Sequence, residues 1–207
     1  MRKTPRIGIM GGTFDPVHYG HLVTAEEALV QFNLDKVLFV PTGRPVRKTH
    51  RHLSSAEDRY LMTVIATASN PDFEVSRIEI DRPGDTYTVD TMLALRDLYG
   101  PRAELFFISG ADAVREILTW KNADRFAGLC TFIAATRPGY DAEVGTDGAM
   151  GRLVPVPAVE SMAVPALAIS SSDIRDRVAS HRPIRYLLPE AVAAYIEKNG
   201  LYREPVA

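Results

Sequence analysis

Two histidines, His18 and His21, lie three residues apart shortly after a pair of glycines near the start of the chain. At this spacing on a helix, two side chains project from nearly the same face. Both imidazoles can then donate hydrogen bonds to one anion, and a helix N-terminus adds about half a positive charge. This combination predicts a binding site for a phosphate group, such as that of a nucleotide.

A strand, a glycine turn and a helix must position these histidines. Residues 6–10 are mostly apolar and predict a strand, and from Leu22 onward apolar residues recur at helical spacing. Glycines between the two allow backbone N–H groups to approach a phosphate. Neither common phosphate loop fits, because Met10 replaces the second glycine of a Rossmann fingerprint and residues 43–49 lack the second glycine of a Walker A loop.

A zinc half-site is one alternative for the histidine pair. A closed zinc site needs further ligands, usually cysteine, histidine or carboxylate. The one cysteine of the chain is Cys130, and the three remaining histidines carry no zinc-site spacing toward the pair. We therefore expect no metal held by the protein itself. Histidines that begin a helix without any ligand are the second alternative.

The composition indicates a globular protein in a reducing compartment. Apolar residues make up 46% of the 207 residues and charged residues 24%, as in soluble globular proteins. The net charge of −2 provides no field that attracts nucleic acid or membranes, so neither is an expected partner. A single cysteine excludes an internal disulfide. Without a signal-peptide core or a membrane-spanning run, we expect a cytoplasmic protein.

Apolar runs alternate with helical patterns, which predicts an α/β fold with a doubly wound, mainly parallel sheet. Strands are predicted at 6–10, 36–40, 73–81, 105–108, 129–135 and 153–156. Helices are predicted from His21, after the serines at 54 and 55, after Thr88, at 113–118, after the serines at 170–172, and at 190–198. We expect one domain over residues 1–207, with its C-terminal helical part, about 170–203, packed on it.

Two loops and one serine cluster complete the candidate features. The basic loop at 42–53 is either a solvated surface or a segment that closes over phosphates, because ligands of open α/β sheets bind beyond the carboxyl ends of strands. The polar loop at 141–151 is expected to be mobile. The serines at 170–172 can cap a helix. Together with Arg175, which can grip phosphate oxygens bidentately, they can also form a second anion site.

Residues 12–21 resemble the G-T-F-D-P-x-H-x-G-H signature of the adenylyl- and cytidylyltransferase superfamily. Residues 169–175, Ile-Ser-Ser-Ser-Asp-Ile-Arg, resemble its I-S-S-T-x-I-R signature. The chain is most similar in these respects to the bacterial nicotinate-mononucleotide adenylyltransferases, and the resemblance runs from Arg6 to Arg203. Its other matches are Thr-Tyr-Thr at 86–88, Gly-x-Asp at 110–112, Thr-Trp at 119–120, Arg-Pro-Gly-Tyr at 137–140 and Gly-Leu-Tyr-Arg at 200–203.

The chain departs from the family pattern at two points. Many members carry Pro-His-Lys where this chain has Val46, Arg47 and Lys48, which leaves the contacts of that loop open. Ser172 stands where threonine is usual, and this change keeps the hydroxyl.

The resemblance implies a Rossmann-like nucleotidyltransferase that joins the AMP portion of ATP to nicotinate mononucleotide, releasing diphosphate. ATP and nicotinate mononucleotide are the implied partners, and Mg²⁺ is expected, bound mainly through the ATP phosphates. The reaction needs no nucleophilic side chain, so catalysis rests on alignment and charge stabilisation. By the same resemblance, His18 and His21 are the catalytic residues.

The resemblance also implies two sets of binding residues. The ATP-binding set is Gly12, Thr13, Phe14, His18, His21, Ser170, Ser171 and Arg175. The mononucleotide-binding set is Lys48, Thr86, Tyr87, Gly110, Asp112, Trp120 and Arg137.

Other functions stay open at this point. The phosphate acceptor is alternatively nicotinamide mononucleotide or phosphopantetheine, and a nucleotide-sensing module without turnover is a further alternative. A fragment of a class I aminoacyl-tRNA synthetase is disfavoured by the net charge of −2. The sequence does not fix the preference for acid or amide, the oligomeric state (a homo-oligomer stays open) or whether the 42–53 loop is closed.

Overall fold

The structure is a computed structural model that describes residues 4–45, 53–118, 123–126, 128–136, 158–165 and 167–203. Strands and helices alternate along these residues. The strands are β1 Arg6–Gly12, β2 Lys36–Pro41, β3 Phe73–Val75, β4 Glu104–Gly110, β5 Thr131–Thr136 and β6 Val159–Ala163. The helices are α1 Tyr19–Gln31, α2 Ala56–Thr67, α3 Thr88–Tyr99, α4 Ala111–Leu118, α5 Ser171–Ala179 and α6 Glu190–Lys198, with a short 3₁₀ turn at Ala123–Phe126.

The described strands form one six-stranded sheet in the order β3-β2-β1-β4-β5-β6. β1 pairs in parallel with β4, where Ile9 lies opposite Phe107. β4 pairs in parallel with β5, and β5 with β6. This order, with a reversal between β1 and β4, is the doubly wound arrangement. The predicted α/β fold with a mainly parallel sheet is confirmed.

The chain divides into two compact units, the first made of Met1–Gly11, Thr24–Leu38 and Thr88–Ala166. Its core is built from strand residues such as Ile9, Ile108 and Phe132, which are fully buried. Strands covered on both faces read as continuous apolar runs, and this is why β1, β4 and β5 could be recognised from sequence. Cys130 is buried there, and burial raises the pKa of its thiol to about 12, so it is an inert core residue.

The second unit is made of Gly12–Val23, Phe39–Tyr87 and Leu167–Ala207. α2 packs against α6 within this unit. α2 begins where predicted, after the serines at 54 and 55. The hydroxyl of Ser55 accepts a hydrogen bond from the N–H of Asp58 at 3.0 Å and so caps the helix. The prediction of a single domain stays a prediction.

The predicted strand at 73–81 is wrong beyond Val75. β3 has three residues, and the hydroxyl of Ser76 then accepts the N–H of Ile78 at 3.2 Å. A local side-chain bond of this kind offers the backbone an alternative to a strand ladder. A helical-type bond from the N–H of Asp81 to the carbonyl of Arg77, 2.9 Å long, completes the turn.

The sheet edge differs from expectation as well. The predicted last strand at 153–156 lies outside the described residues, as does the loop at 141–151. The observed edge strand β6 was not predicted, and only Met162 in it is buried. Three of its five residues are exposed, and the sequence Val-Glu-Ser-Met-Ala lacks the alternation of apolar and polar residues that predicts a strand. Among the helices that the structure describes, none has both the length and the apolar character needed to cross a bilayer.

Candidate functional site

The turn after β1 carries the first candidate site, and it is held in an unusual conformation. Phe14 has a φ of 51°, and the peptide bond between Asp15 and Pro16 is cis. A bulky side chain at positive φ costs about 1–3 kcal/mol and persists only where the surroundings hold it. Phe14 is buried, and its ring packs edge-on against the ring of His21 at 5.1 Å and against Phe39 at 5.8 Å. Phe14 therefore orients His21.

The two predicted histidines lie against each other at the start of α1. Their rings stack with centroids 3.8 Å apart and an angle of 28° between planes. Nδ1 of His21 accepts the backbone N–H of His18 at 3.2 Å. Because an accepting imidazole nitrogen carries no proton, the proton of His21 is on Nε2. The ring of His21 thus has one N–H group, at Nε2.

His18 is the more buried histidine, with 6% of its surface exposed. Its Nδ1 is a buried atom without a hydrogen-bond partner in the part of the chain that the structure describes. Burial lowers the pKa of His18 from 6.5 to about 4, so the imidazole is neutral at pH 7. A Cβ atom at Gly20 would stand 3.0 Å from the His18 ring, so glycine at that position allows the ring its place.

The buried, neutral His18 makes stability depend on pH in a defined direction. Between pH 6.5 and about 4 the unfolded chain binds a proton at His18 that the folded chain does not. The contribution of the neutral His18 to the free energy of unfolding is therefore complete above pH 6.5, and it is lost as the pH falls toward 4. We expect acidification from pH 7 to pH 5 to lower the free energy of unfolding by about 2 kcal/mol through this group.

Urea unfolding of the wild type and of His18→Asn at both pH values measures this effect. The carboxylates contribute in both proteins, so the expected result is a smaller loss between pH 7 and pH 5 in the variant. An equal loss in the two proteins would contradict a neutral, buried His18.

The second predicted anion site is the N-terminus of α5. The hydroxyl of Ser170 accepts the N–H of Asp173 at 3.1 Å and caps the helix. The hydroxyl of Ser171 donates to the carbonyl of Pro16 at 2.8 Å. Both hydroxyls therefore have partners within the protein. An anion at the N-terminus of α5 would instead bind the backbone N–H groups of the first helical turn, at Ser171 and Ser172.

Arg175 reaches from α5 to the turn after β1. One Nη donates to the backbone carbonyl of Asp15 at 2.6 Å, and the other donates to the hydroxyl of Ser172 at 3.2 Å. A guanidinium has five N–H donors, so these two bonds orient the group and leave further donors for phosphate oxygens.

A cavity of about 230 Å³ lies where these two sites meet. Its lining residues are Thr13, Asp15, Leu53, Ser170, Ser171, Ser172 and Arg175. The volume is below the range of about 300–1,000 Å³ for pockets that enclose a whole small molecule, and it suits a phosphate chain. Of the predicted ATP-binding residues, the structure brings Thr13, Ser170, Ser171 and Arg175 together here, whereas His18 and His21 are not among the lining residues.

Arg59 is a central residue of the site that the sequence analysis did not single out. Its guanidinium is buried and donates to four backbone carbonyls, those of Thr13 (2.9 Å), Thr42 (2.6 Å), Gly43 (3.1 Å) and Ser54 (3.2 Å). Burial lowers its pKa, against the opposing charge of nearby carboxylates. Arg59 thus joins the loops that follow β1 and β2 to the start of α2.

A signal for Arg59 was present in the sequence. Met62 and Ala66 follow Arg59 by three and by seven residues, a spacing that puts all three side chains on one face of α2. That face is buried. An arginine on the apolar face of a helix needs several partners, because an unpaired buried charge is costly.

Residues of the predicted mononucleotide set lie in both units. Thr86 is buried, and its hydroxyl accepts the N–H of Arg44 at 3.1 Å, while Tyr87 is 51% exposed. Gly43 lies in the loop that follows β2, close to Glu79. A Cβ atom added at Gly43 would stand 2.3 Å from the backbone carbonyl oxygen of Glu79. In the other unit, Gly110 ends β4, and Asp112 is exposed in the first turn of α4. Lys48, Trp120 and Arg137 lie outside the described residues.

In the described part of the chain, no cluster of three or more histidine, cysteine or carboxylate side chains is placed to hold a metal ion. Within these residues, the one carboxylate that lines the cavity is Asp15.

Comparison with known proteins places this geometry in a family context. A family model described as cytidylyltransferase-like matches residues 9–177. The probable nicotinate-nucleotide adenylyltransferase of Thermoanaerobacter sp. is 53% identical over 206 residues, covering 99% of this chain and 97% of that relative. A protein of the same name from Moorella thermoacetica is 57% identical, covering 96% of this chain and 92% of its own.

A solved structure has a similar fold. Nicotinic acid mononucleotide adenylyltransferase of Plasmodium falciparum, complexed with NaAD, matches with a TM-score of 0.77 over 98% of this chain and 100% of its own. Its sequence is 18% identical, so this likeness supports the fold alone.

Proposed function

The chain belongs to the cytidylyltransferase-like family, and from this premise we propose that it is a nicotinate-nucleotide adenylyltransferase. The enzyme transfers the adenylyl group of ATP to nicotinate mononucleotide, giving nicotinate adenine dinucleotide and diphosphate, a step of NAD biosynthesis. The observation that carries the proposal is the anion cavity formed by Arg175, the first turn of α5 and the turn after β1. The curated relatives, more than 50% identical over nearly the whole chain, support the choice of substrates.

The chemistry is an in-line exchange of bonds at one phosphorus atom. A phosphate oxygen of nicotinate mononucleotide attacks the α-phosphorus of ATP, and the bond from that phosphorus to the bridging oxygen of the β-phosphate breaks. No proton has to be moved by a side chain, so neutral donors suffice. His21 is proposed to stabilise, through its Nε2–H, the charge that develops on the phosphate oxygens.

The leaving diphosphate carries the negative charge away from the α-phosphorus. Arg175 and the N–H groups at the start of α5 are proposed to bind the β- and γ-phosphates. The backbone from Gly12 to Phe14 and the ring of His18 complete the proposed ATP site. Ser170 and Ser171 contribute through their backbone and by holding α5 against the turn.

Mg²⁺ is the proposed cofactor, bound mainly through the phosphates of ATP. The donor set fits this mode, because Asp15 is a single carboxylate at the cavity, and Mg²⁺ typically takes one or two carboxylates together with phosphate oxygens and water. When bound, the ion neutralises charge on the phosphate chain.

By the resemblance, Thr86, Tyr87, Gly110 and Asp112 are proposed to bind the mononucleotide. Lys48, Trp120 and Arg137 belong to the same proposal, with Trp120 stacking on the pyridine ring. The location in the cytoplasm remains a prediction from the sequence, and a homo-oligomer stays open.

Diphosphate release tests the proposed function directly. The enzyme is supplied with ATP and Mg²⁺ and, in separate reactions, with nicotinate mononucleotide, nicotinamide mononucleotide, phosphopantetheine or no acceptor. We expect fast release with nicotinate mononucleotide. Release with phosphopantetheine alone would overturn the pyridine nucleotide as substrate, and binding of ATP without release in any reaction would favour a nucleotide-sensing module.

A further inference from the structure

Tyr202 lies beyond the last helix, in a motif to which the proposed reaction assigns no role. Its hydroxyl donates to Oδ1 of Asp15 at 2.6 Å, across 187 residues of sequence. The backbone at Tyr202 has a φ of 62°, and the N–H of Leu201 bonds to the carbonyl of Ile196 at 3.0 Å. These features turn the chain back after α6 and bring the phenol to the cavity.

Asp15 connects this phenol to the phosphate site. Its carboxylate is buried, with 2% exposure, and it lines the cavity. Its backbone carbonyl receives the guanidinium of Arg175 at 2.6 Å, and its Oδ2 lies 3.4 Å from the N–H of Ser54. The residue that holds Arg175 is therefore itself held by Tyr202.

A carboxylate in an anion cavity needs a partner for a second reason. The guanidinium of Arg59 acts on the charge of Asp15, but a carboxylate oxygen without a hydrogen bond would still compete with phosphate for the side chain of Arg175. A hydrogen bond from a neutral phenol occupies one carboxylate oxygen without adding a cation. Burial and the charge of Asp15 raise the pKa of Tyr202, so the phenol stays protonated and donates throughout the physiological range.

We propose that Tyr202 is a positioning residue for ATP, which fixes Asp15 and thereby keeps Arg175 directed at the triphosphate. This inference rests on the proposed function, because it takes the cavity to be the triphosphate site. Without the phenol hydroxyl, the carboxylate of Asp15 turns to the guanidinium of Arg175 and withdraws it from the phosphates.

The test compares Tyr202→Phe with a matched control, Tyr195→Phe. Tyr195 also donates its hydroxyl to a carboxylate, Oδ1 of Asp58 at 2.9 Å, but it lies on α6 and is not among the residues that line the cavity. Each variant loses one hydroxyl and keeps its ring. Calorimetry measures the Kd of a non-hydrolysable ATP analogue and of AMP, and urea unfolding measures stability.

We expect Tyr202→Phe to weaken the ATP analogue about tenfold, the scale of one lost hydrogen bond to a charged group. The Kd of AMP should change less than about twofold, because AMP lacks the phosphates that Arg175 is proposed to hold. Tyr195→Phe should leave both constants unchanged. In an Arg175→Ala background, Tyr202→Phe should have no further effect on the analogue, since both changes act through the same guanidinium.

Three results would overturn the proposal. They are an unchanged Kd for the analogue, a parallel loss of analogue and AMP affinity, and an additive effect in the Arg175→Ala background. A variant too unstable to fold would likewise assign Tyr202 a role in stability only. Binding of the analogue requires no turnover, so this test gives its answer even where the diphosphate assay fails.

Discussion

Replacing His21 with alanine is expected to lower kcat by about two to three orders of magnitude, as for other single donors that stabilise transition-state charge. The variant loses the whole imidazole, whose Nδ1 accepts the backbone N–H of His18 and whose proton is on Nε2. Its fold should persist, because β1 and α1 are held by their own backbone bonds. Steady-state diphosphate release measures the effect, with the exposed His181→Ala as control.

Two amide substitutions show which nitrogen of His21 acts. Glutamine places its amide near the position of Nε2 and should recover part of the lost turnover. Asparagine places its amide near Nδ1, where it can accept the N–H of His18 but cannot reach the phosphate, and should resemble alanine. Near-normal turnover of His21→Ala would remove His21 from the mechanism. A higher turnover of His21→Asn than of His21→Gln would contradict the assignment of the proton to Nε2.

Replacing Arg59 with methionine is expected to have the largest effect on stability, lowering the free energy of unfolding by about 3–5 kcal/mol. Methionine fills much of the buried volume but leaves four carbonyls without their donor. Lysine should be only slightly better, because one ammonium cannot reach carbonyls that a planar guanidinium spans. Urea unfolding at pH 7 measures both variants.

Arg77→Met provides the matched control for Arg59. Arg77 pairs with Glu57 at 3.0 Å and Asp81 at 3.2 Å on the surface, where ion pairs contribute little. We expect a small change in stability for this variant. Similar losses for Arg59→Met and Arg77→Met would show that the four carbonyls find water or other partners, and that Arg59 does not hold the loops together.

Local signals in the sequence predicted much of the fold. The apolar runs of β1, β2, β4 and β5 and the cap at Ser55 lie where expected, within about two residues, because buried parallel strands and helix caps have short-range signatures. The turn at Ser76 and the edge strand β6 were missed. The turn depends on a single hydroxyl, and β6 lacks the alternation of apolar and polar residues that predicts a strand.

The candidate site was only partly predictable for a different reason. Its two signature stretches stand out in the sequence, and six of their residues line one cavity. The partners that organise them do not stand out, because the four carbonyls of Arg59 and the contact between Tyr202 and Asp15 arise only in the folded chain. Likewise, the partner of the Ser171 hydroxyl, the carbonyl of Pro16, could not be read from the serine motif.

The bonds that join α5 and Tyr202 to the turn after β1 also bear on how the protein folds. They link residues 155, 160 and 187 positions apart in the chain. Contacts of such high contact order form slowly, because the entropy of closing a long loop is lost before the contact is gained. We therefore expect the cavity to be among the last parts of the molecule to assemble during refolding, so that binding of a triphosphate reports the end of that process.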